Sequence, residues 1–256
     1  MIDLHSHLLP GIDDGAPSIE VSIEMLDAYV ANGFRTVATT PHLMQRLDAR
    51  YRAEVDNAFA QVEPHARERG ITLLRGFEIR LMPDVPSQLN RGDAIGIEDT
   101  DVVLVDLGFT DWPLYADDTL FGVQTTGRRV VLAHPERYPA IQDDPTKAEE
   151  IAGRGIYLQV TIGSFSGAFG KRAKKSAETL LERGLVHLLA TDAHSAGHRM
   201  AAVPAGMDRL RELIGEEGIR QLTVEAPASL LNGESVPAPV RPRPRSWRDR
   251  FPMLRR

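Results

Sequence analysis

The residues of this chain that could do chemistry are histidines and acids that follow short apolar runs. His5 and His7 close the first run, His42 follows the second and Glu78 follows the third. Later runs are followed by a further four such residues, Asp106, His134, Asp192 and His194. Imidazole and carboxylate groups without sulfur suit divalent ions such as Mn, Fe, Zn or Mg. The pattern therefore predicts a metal centre.

Burial strengthens this interpretation. Glu78 lies in the apolar string LLRGFEIRLM, Asp106 follows VVLV and His134 follows VVLA. A carboxylate in such surroundings needs a cation or a metal ion as its partner. There are more candidate ligands than a single ion binds, and the sequence therefore predicts two or three ions. Clusters of this kind hydrolyse phosphate esters.

Two arginines point to the same substrate chemistry. Arg137 lies three residues after His134, and Arg199 lies shortly after His194. A guanidinium group pairs with phosphate oxygens through two hydrogen bonds, so we expect both arginines to hold a phosphate. The alternative is a structural ion pair with a local acid such as Glu136.

Other polar residues receive structural interpretations. Asp13, Asp14 and Gly15 on their own predict an Asx turn that leads into a helix. His187 lies inside an apolar run and is interpreted as a satisfied core residue or a barrel-wall residue. His198, next to Arg199, is a secondary candidate for substrate contact.

Seven apolar runs alternate with segments of helical spacing. The runs cover residues 2–4, 36–39, 71–74, 102–105, 130–133, 156–160 and 186–190, and the clearest helical segments cover 18–33, 48–70, 146–155 and 170–184. Strands that are apolar throughout and alternate with helices are typical of a parallel sheet buried on both faces. We therefore predict an α/β barrel with its polar site at the carboxyl ends of the strands, and an open sheet as the alternative.

Composition excludes several classes of protein. The chain has 256 residues and no cysteine, so disulfides, thiolate metal sites and cysteine nucleophiles are ruled out. Neither a signal peptide nor an apolar run of transmembrane length is found, so a cytoplasmic location is expected, with a position at the inner face of the membrane as a further hypothesis. The G-x-G-x-x-G and Walker-type phosphate loops are also missing.

The charge divides the chain into two parts, a domain over 1–236 and a tail over 237–256. The tail carries seven arginines and one aspartate, which leaves −12 for the domain when the whole chain is −6. Its prolines predict an extended, flexible segment. A sharper hypothesis is that the tail binds anionic lipid or an acidic partner through its arginines and four apolar anchors, Trp247, Phe251, Met253 and Leu254.

The assembled motifs resemble those of the polymerase-and-histidinol-phosphatase (PHP) metal-dependent phosphoesterases. More narrowly, the chain is similar to the bacterial tyrosine phosphatases that act beside capsular or exopolysaccharide tyrosine kinases. The strings that carry the resemblance are MIDLHSHLLPGIDDGA, TTPH, GFEI, AHPERY and TDAHSAGHR. They span residues 1–199, and IDDG and AHPERY are specific to the narrower group.

The resemblance implies a distorted (β/α)7 barrel and a site for three metal ions, with manganese preferred. It assigns His5, His7, Glu78 and Asp192 to the first ion. Glu78 would bridge to a second ion held by Asp106 and His134, and Asp14, His42 and His194 would hold the third. Arg137 and Arg199 would bind the phosphate. The family usually has glutamate where this chain has Asp106, so we expect a weaker second site.

The expected function is hydrolysis of phosphotyrosine on a protein, with a membrane-associated tyrosine kinase as partner. The first alternative is a phosphatase for a small molecule such as histidinol phosphate. The second is a metal-binding regulatory module without turnover. Nucleic acid is not expected as a partner because a domain with a charge of −12 repels it.

Overall fold

The computed structural model describes residues 1–108 and 112–242. Within these residues the chain forms nine strand segments, namely β1 (Ile2–Asp3), β2 (Thr36–Thr39), β3 (His42–Leu43), β4 (Thr72–Arg75), β5 (Glu78–Arg80), β6 (Val102–Asp106), β7 (Arg129–Ala133), β8 (Tyr157–Thr161) and β9 (Leu188–Ala190). Each of the seven predicted runs overlaps one strand. The segments β3 and β5 were not predicted, because they begin at the polar residues His42 and Glu78 and are only two and three residues long.

All strand pairs are parallel. The hydrogen-bonded orders are β1-β2-β4 and β3-β5-β6-β7-β8-β9. Since β3 continues β2 after Thr40 and Pro41, and β5 continues β4 after Gly76 and Phe77, the two sheets share two interrupted strands. Pro41 has no N–H to donate and so weakens the ladder at the first break. Counting each interrupted strand once gives seven barrel strands in the described residues.

The ring closes between the first and last strands. Ser6 and Ala193 form a parallel bridge beyond the ends of β1 and β9. The His7 N–H donates to the Ala193 carbonyl (2.8 Å), and the Asp192 N–H donates to the His5 carbonyl (3.0 Å). The predicted distorted (β/α)7 barrel is therefore confirmed, and its closing hydrogen bonds lie among the predicted metal ligands.

The helices of the described residues follow the strands. They are α1 (Ile19–Ala31), α2 (Ala49–Glu68), α3 (Val85–Arg91), α4 (Ala116–Thr125), α5 (Pro139–Asp143), α6 (Thr146–Gly153), α7 (Ile162–Ser166), α8 (Gly170–Arg183), α9 (His198–Ala201), α10 (Val203–Arg220) and α11 (Ala226–Leu231). The four predicted helices correspond to α1, α2, α6 and α8. Asp48 caps α2 by accepting the Tyr51 N–H (2.8 Å), and Gly184 ends α8 with φ of 70°.

Two apolar clusters fill the fold. In β6, Val103 and Val105 pack in the larger cluster, which includes buried residues of the helices, while Val102 and Leu104 pack in a smaller one. That smaller cluster takes residues from several strands, and α11 contributes Ala226 and Leu230 to it. Side chains alternate along a strand, so the smaller cluster is the barrel interior. The polar site lies at the carboxyl ends of the strands, beyond this apolar interior.

The last described residues contact the domain. Gln221 Nε2 donates to the Ala238 carbonyl (2.7 Å), and Val240 packs against the larger apolar cluster. Residues 237–242 form neither helix nor strand. The four predicted anchors of the tail lie outside the described residues. Across residues 1–108 and 112–242, no helix is long and apolar enough to cross a membrane.

Candidate metal centre

The structure brings all nine predicted ligands together at the carboxyl ends of the strands. Six of them are buried, namely His5, His7, Glu78, Asp106, His134 and Asp192. His42 and His194 are partly exposed, and Asp14 points its carboxylate to the surface. In an α/β barrel this face collects the loops that follow every strand, which is why residues far apart in sequence meet here.

The imidazoles of His5 and His7 face each other. Their Nε2 atoms are 3.2 Å apart. His5 Nδ1 lies 2.8 Å from Gln159 Oε1, and His7 Nδ1 lies 2.7 Å from Asp13 Oδ2. Because both partners are acceptors, each Nδ1 carries the proton and donates it, and in the neutral ring each Nε2 presents a lone pair. When both rings are neutral, as in metal binding, two lone pairs therefore point at the same region.

Glu78 lies at the centre of the cluster. Its Oε1 is 2.9 Å from His134 Nε2 and 3.5 Å from His5 Nε2. Its Oε2 is 2.8 Å from His42 Nδ1 and 3.4 Å from His7 Nε2. Each carboxylate oxygen thus faces two imidazole nitrogens, an arrangement in which one carboxylate can bridge two ions.

Asp106 is held by groups on three sides. Its Oδ1 accepts the Gly108 N–H (2.8 Å) and the Tyr138 hydroxyl (3.1 Å), and its Oδ2 lies 3.0 Å from Arg80 Nη2. The candidate co-ligand His134 is more distant, with its Nε2 atom 3.9 Å from Oδ1. Asp106 therefore reaches its cluster less closely than Glu78 does.

A third group lies nearest to the surface. Asp14 Oδ1 is 3.3 Å from His42 Nε2 and 3.4 Å from His194 Nε2. One ligand atom from each of four residues, His7, Asp14, His42 and His194, falls within 4.8 Å of the others. The same criterion groups His5, His7 and Glu78; His5, His134 and Asp192; and Glu78, Asp106 and His134.

The two predicted phosphate-binding arginines converge on Asp192. Arg137 Nη1 is 2.8 Å from Asp192 Oδ2, and Arg199 Nη1 is 2.5 Å from Oδ1. The Phe169 ring lies under both guanidinium groups, 4.5 Å and 5.6 Å from their central carbons. Such cation–π contacts hold planar guanidinium groups in place. Arg137 thus pairs with a candidate ligand of the centre.

Two of the candidate ligands have a strained backbone. His134 has φ of 36° and Asp192 has φ of 51°, the left-handed region that favours glycine. Such residues cost about 1–3 kcal/mol each and persist where the surrounding structure fixes them. The strain aims both side chains into the cluster.

The electrostatics of the cluster keep Glu78 and Asp192 ionised. Burial alone would raise the pKa of Glu78, but the imidazoles of His5 and His134 outweigh it and hold that pKa well below its usual range. Burial likewise opposes ionisation of Asp192, but His5, His7 and Arg199 lower its pKa. Burial and the charge of His7 lower the pKa of His194 to about 3, so its ring is neutral near pH 7.

These donors fit divalent cations. The Nε2 atoms of His5 and His7 lie 3.4–3.5 Å from Glu78 and Asp192 oxygens. Ligand atoms about 2.1 Å from one ion are about 3.0 Å apart in octahedral and about 3.4 Å apart in tetrahedral coordination, so these separations are close to those of a divalent-ion site. The neighbours that fix each Nδ1 proton are the partners that metal-binding histidines have elsewhere.

Some residues of the site could not be recognised in the sequence. Asp13 forms the predicted Asx turn by accepting the Gly15 N–H (3.0 Å), but the same carboxylate also orients His7. Gln159 lies in a strand that carried no other polar signal, and Arg80 lies inside the string LLRGFEIRLM, two residues after Glu78. His187 accepts the Leu158 N–H through Nδ1 (3.0 Å) and is a wall residue, as predicted.

The closed parallel barrel, with imidazole and carboxylate groups clustered at its carboxyl face, defines the class of this protein as an α/β barrel with a candidate metal centre. A family model described as capsular polysaccharide synthesis, CpsB/CapC, matches residues 1–232. The chain therefore belongs to the CpsB/CapC family, and the narrower resemblance predicted from the motifs is confirmed.

Curated relatives and solved structures agree with this membership. The tyrosine-protein phosphatase YwqE of Bacillus subtilis is 34% identical over 244 residues, covering 94% of this chain and 96% of that protein. The tyrosine-protein phosphatase CpsB of Streptococcus pneumoniae is 27% identical, covering 92% and 100%. A crystal structure from work on these two proteins, described as unique metal-dependent tyrosine phosphatases, superposes with a TM-score of 0.84 at 32% identity, covering 96% of this chain and 100% of that one.

Proposed function

We propose that this protein is a metal-dependent phosphatase that hydrolyses phosphotyrosine on proteins. The observation that carries the proposal is the position of Glu78 between four imidazoles, with two arginines beside the same cluster. This combination supplies both a centre for several ions and groups that bind an anion. The names of the relatives YwqE and CpsB support the same activity.

The proposed ligand sets are those that the family resemblance implies, and they share most of their members with the four groups of side chains in the structure. His5, His7, Glu78 and Asp192 hold the first ion. Glu78, Asp106 and His134 hold the second, and the surface group of Asp14, His42 and His194 holds the third. Manganese is the proposed ion because the family resemblance implies it, and nitrogen and oxygen donors without sulfur are compatible with Mn, Fe, Zn or Mg. Divalent ions, when bound, activate water for attack and neutralise charge on the phosphate.

The protein's own residues position the substrate. Arg137 and Arg199 lie on the Asp192 side of the cluster and carry donors suited to phosphate oxygens. Phe169 keeps both guanidinium groups stacked. Asp13 and Gln159 hold the rings of His7 and His5 in the orientation that metal binding requires.

The leaving group favours tyrosine. A phenol has a pKa of about 10, so tyrosinate departs with less help from an acid than a serine alkoxide needs. The family description places such proteins in capsular polysaccharide synthesis. We extend the proposal to a membrane-associated tyrosine kinase as the partner and to a cytoplasmic location.

The test is phosphate release from a tyrosine-phosphorylated peptide. The reactions contain manganese or a chelator, with histidinol phosphate as a competing substrate. Asp192→Ala is compared with Asp208→Ala, which changes an exposed acid paired with Arg211 on α10. We expect manganese-dependent turnover of the peptide that is lost only in Asp192→Ala.

Two results would contradict the proposal. Preference for histidinol phosphate over the peptide would indicate a small-molecule phosphatase. No turnover of either substrate, with metal bound at the centre, would indicate a regulatory module.

A further inference from the structure

A cavity opens directly beside the candidate metal centre. Its volume is about 480 Å³. Asp14 and His42, two of the candidate ligands nearest to the surface, line it. The apolar part of the cavity lining comes from Ile12, Leu43 and Met44. A volume between about 300 and 1,000 Å³ is typical of small-molecule sites.

The phosphate contacts by themselves do not select an alcohol. Arginines and metal ions bind the phosphate oxygens, which are the same in every phosphomonoester. Selection for tyrosine therefore requires contacts with the ring. Contacts with the ring require a segment that lies at the metal centre and also has apolar surface. Residues 42–44 meet both conditions, because His42 is a candidate ligand and Leu43 and Met44 line the cavity.

Charge determines which end of a substrate the cavity accepts. Three acids, Asp13, Asp14 and Asp48, line it together with one arginine, Arg46. Apart from the proposed ligand Asp14, the cavity has two acids against one arginine, which disfavours a phosphate dianion inside it, whereas Arg137 and Arg199 beside Asp192 attract the phosphate. A neutral ring attached to that phosphate has no such penalty and gains from leaving water.

Met44 is suited to contact an aromatic ring. Its side chain follows β3 and is 54% exposed. A thioether makes favourable contacts with ring edges and adapts its shape to what it binds. Tyr51 lines the same cavity, and its hydroxyl donates to the His42 carbonyl (2.7 Å), which joins the cavity wall to a candidate ligand.

We infer that this cavity binds the aromatic ring of the phosphotyrosine and that Met44 is a specificity-determining residue. The inference rests on the proposed function and deepens it. The phosphate lies over the metal centre and the arginines, while the ring lies against Met44, Leu43 and Ile12. Aryl phosphates are then preferred to alkyl phosphates because only they fill the cavity.

The experiment separates the ring from the phosphate head. Binding of phenylphosphonate and of methylphosphonate to the manganese-loaded protein is measured by titration calorimetry. The two ligands share a head group and differ in the ring, so the ratio of their affinities reports the contribution of the ring. We expect a ratio of about 10 or more in the unchanged protein.

The variants are Met44→Ala and Met44→Gln, and the matched controls are Met82→Ala and Met82→Gln. Met82 is a similarly exposed methionine (41%) that follows β5 and does not line the cavity. We expect the ratio to fall about threefold or more in the Met44 variants and to stay unchanged in the controls. Methylphosphonate affinity stays within twofold in all four.

An unchanged ratio in the Met44 variants overturns the inference. So does an equal loss of affinity for both phosphonates, because the cavity would then act on the phosphate head. Phosphotyrosine-peptide hydrolysis by the unchanged protein is measured separately. Its absence contradicts the proposed function, whereas the phosphonate ratio tests the ring site alone.

Discussion

Arg199 Nη1 lies 2.6 Å from His194 Nδ1. An arginine N–H can only donate, so this contact makes Nδ1 the acceptor and leaves the proton of the neutral ring on Nε2. Nε2 is the atom that faces Asp14, at 3.4 Å. If His194 binds an ion through Nε2, its proton must move to Nδ1, which then faces the Asp192 carbonyl at 3.0 Å. Binding of an ion through His194 Nε2 and the hydrogen bond from Arg199 to His194 Nδ1 therefore exclude each other.

The first prediction is that Arg199→Ala has opposite effects on metal and phosphate. Removing a competing donor and a positive charge strengthens binding of the outermost ion, by about threefold to tenfold. Affinity for inorganic phosphate falls about tenfold or more, because a charge-assisted contact is lost. Competition with a chromogenic chelator and inhibition by phosphate measure the two effects. A parallel loss of metal affinity would contradict the exclusion.

The second prediction concerns Asp13. Asp13→Asn keeps an acceptor for the Gly15 N–H but removes the charge that fixes the His7 ring. Burial opposes ionisation of Asp13, but His7 outweighs it and lowers the pKa to about 2. Loss of such an orienting partner costs about 10- to 100-fold in metal affinity. Manganese titration checks this, and Asp48→Asn at the α2 cap is the control.

The third prediction concerns the short side chain at position 106. Asp106 Oδ1 lies 3.9 Å from His134 Nε2, farther than Glu78 does. Asp106→Glu adds one methylene and extends the carboxylate into the cluster. We expect more manganese bound per chain at limiting metal, measured by elemental analysis after gel filtration. Lower manganese occupancy would mean that the contacts of Asp106 with Arg80 and Tyr138 contribute more to metal binding than the length of the side chain does.

The fourth prediction is a pH dependence of stability from His187. Burial lowers its pKa to about 4, against about 6.5 when unfolded. Between these values the unfolded chain binds the additional proton, so stability falls as pH falls from about 6.5 to about 4 and is retained above 6.5. The loss between pH 7 and pH 5 is about 2 kcal/mol.

His187→Asn tests this dependence, because asparagine offers an oxygen to the Leu158 N–H and does not titrate. Urea unfolding at pH 7 and pH 5 measures both proteins under the same metal conditions. The difference between their pH slopes isolates His187 from the ligand histidines. Equal slopes would show that the ring titrates normally in the folded state.

The sequence by itself determined the seven strands and the ligand types that follow them. Both are local properties: an apolar run forms a buried strand, and a polar residue directly after it lies at the rim. Arg137 and Arg199 were found for the same reason, since each lies a few residues after such a histidine. The family membership followed from strings of four or more residues that keep their order along the chain.

The tertiary structure decided which atoms face each other. Asp13 and Asp14 are neighbours in the sequence, yet one orients His7 and the other faces His42 and His194. Gln159 meets His5 across 154 residues, and this contact depends on how β8 and β1 lie in the closed barrel. Pairings of this kind depend on strand register and ring closure, which long-range packing fixes and local residue patterns do not encode.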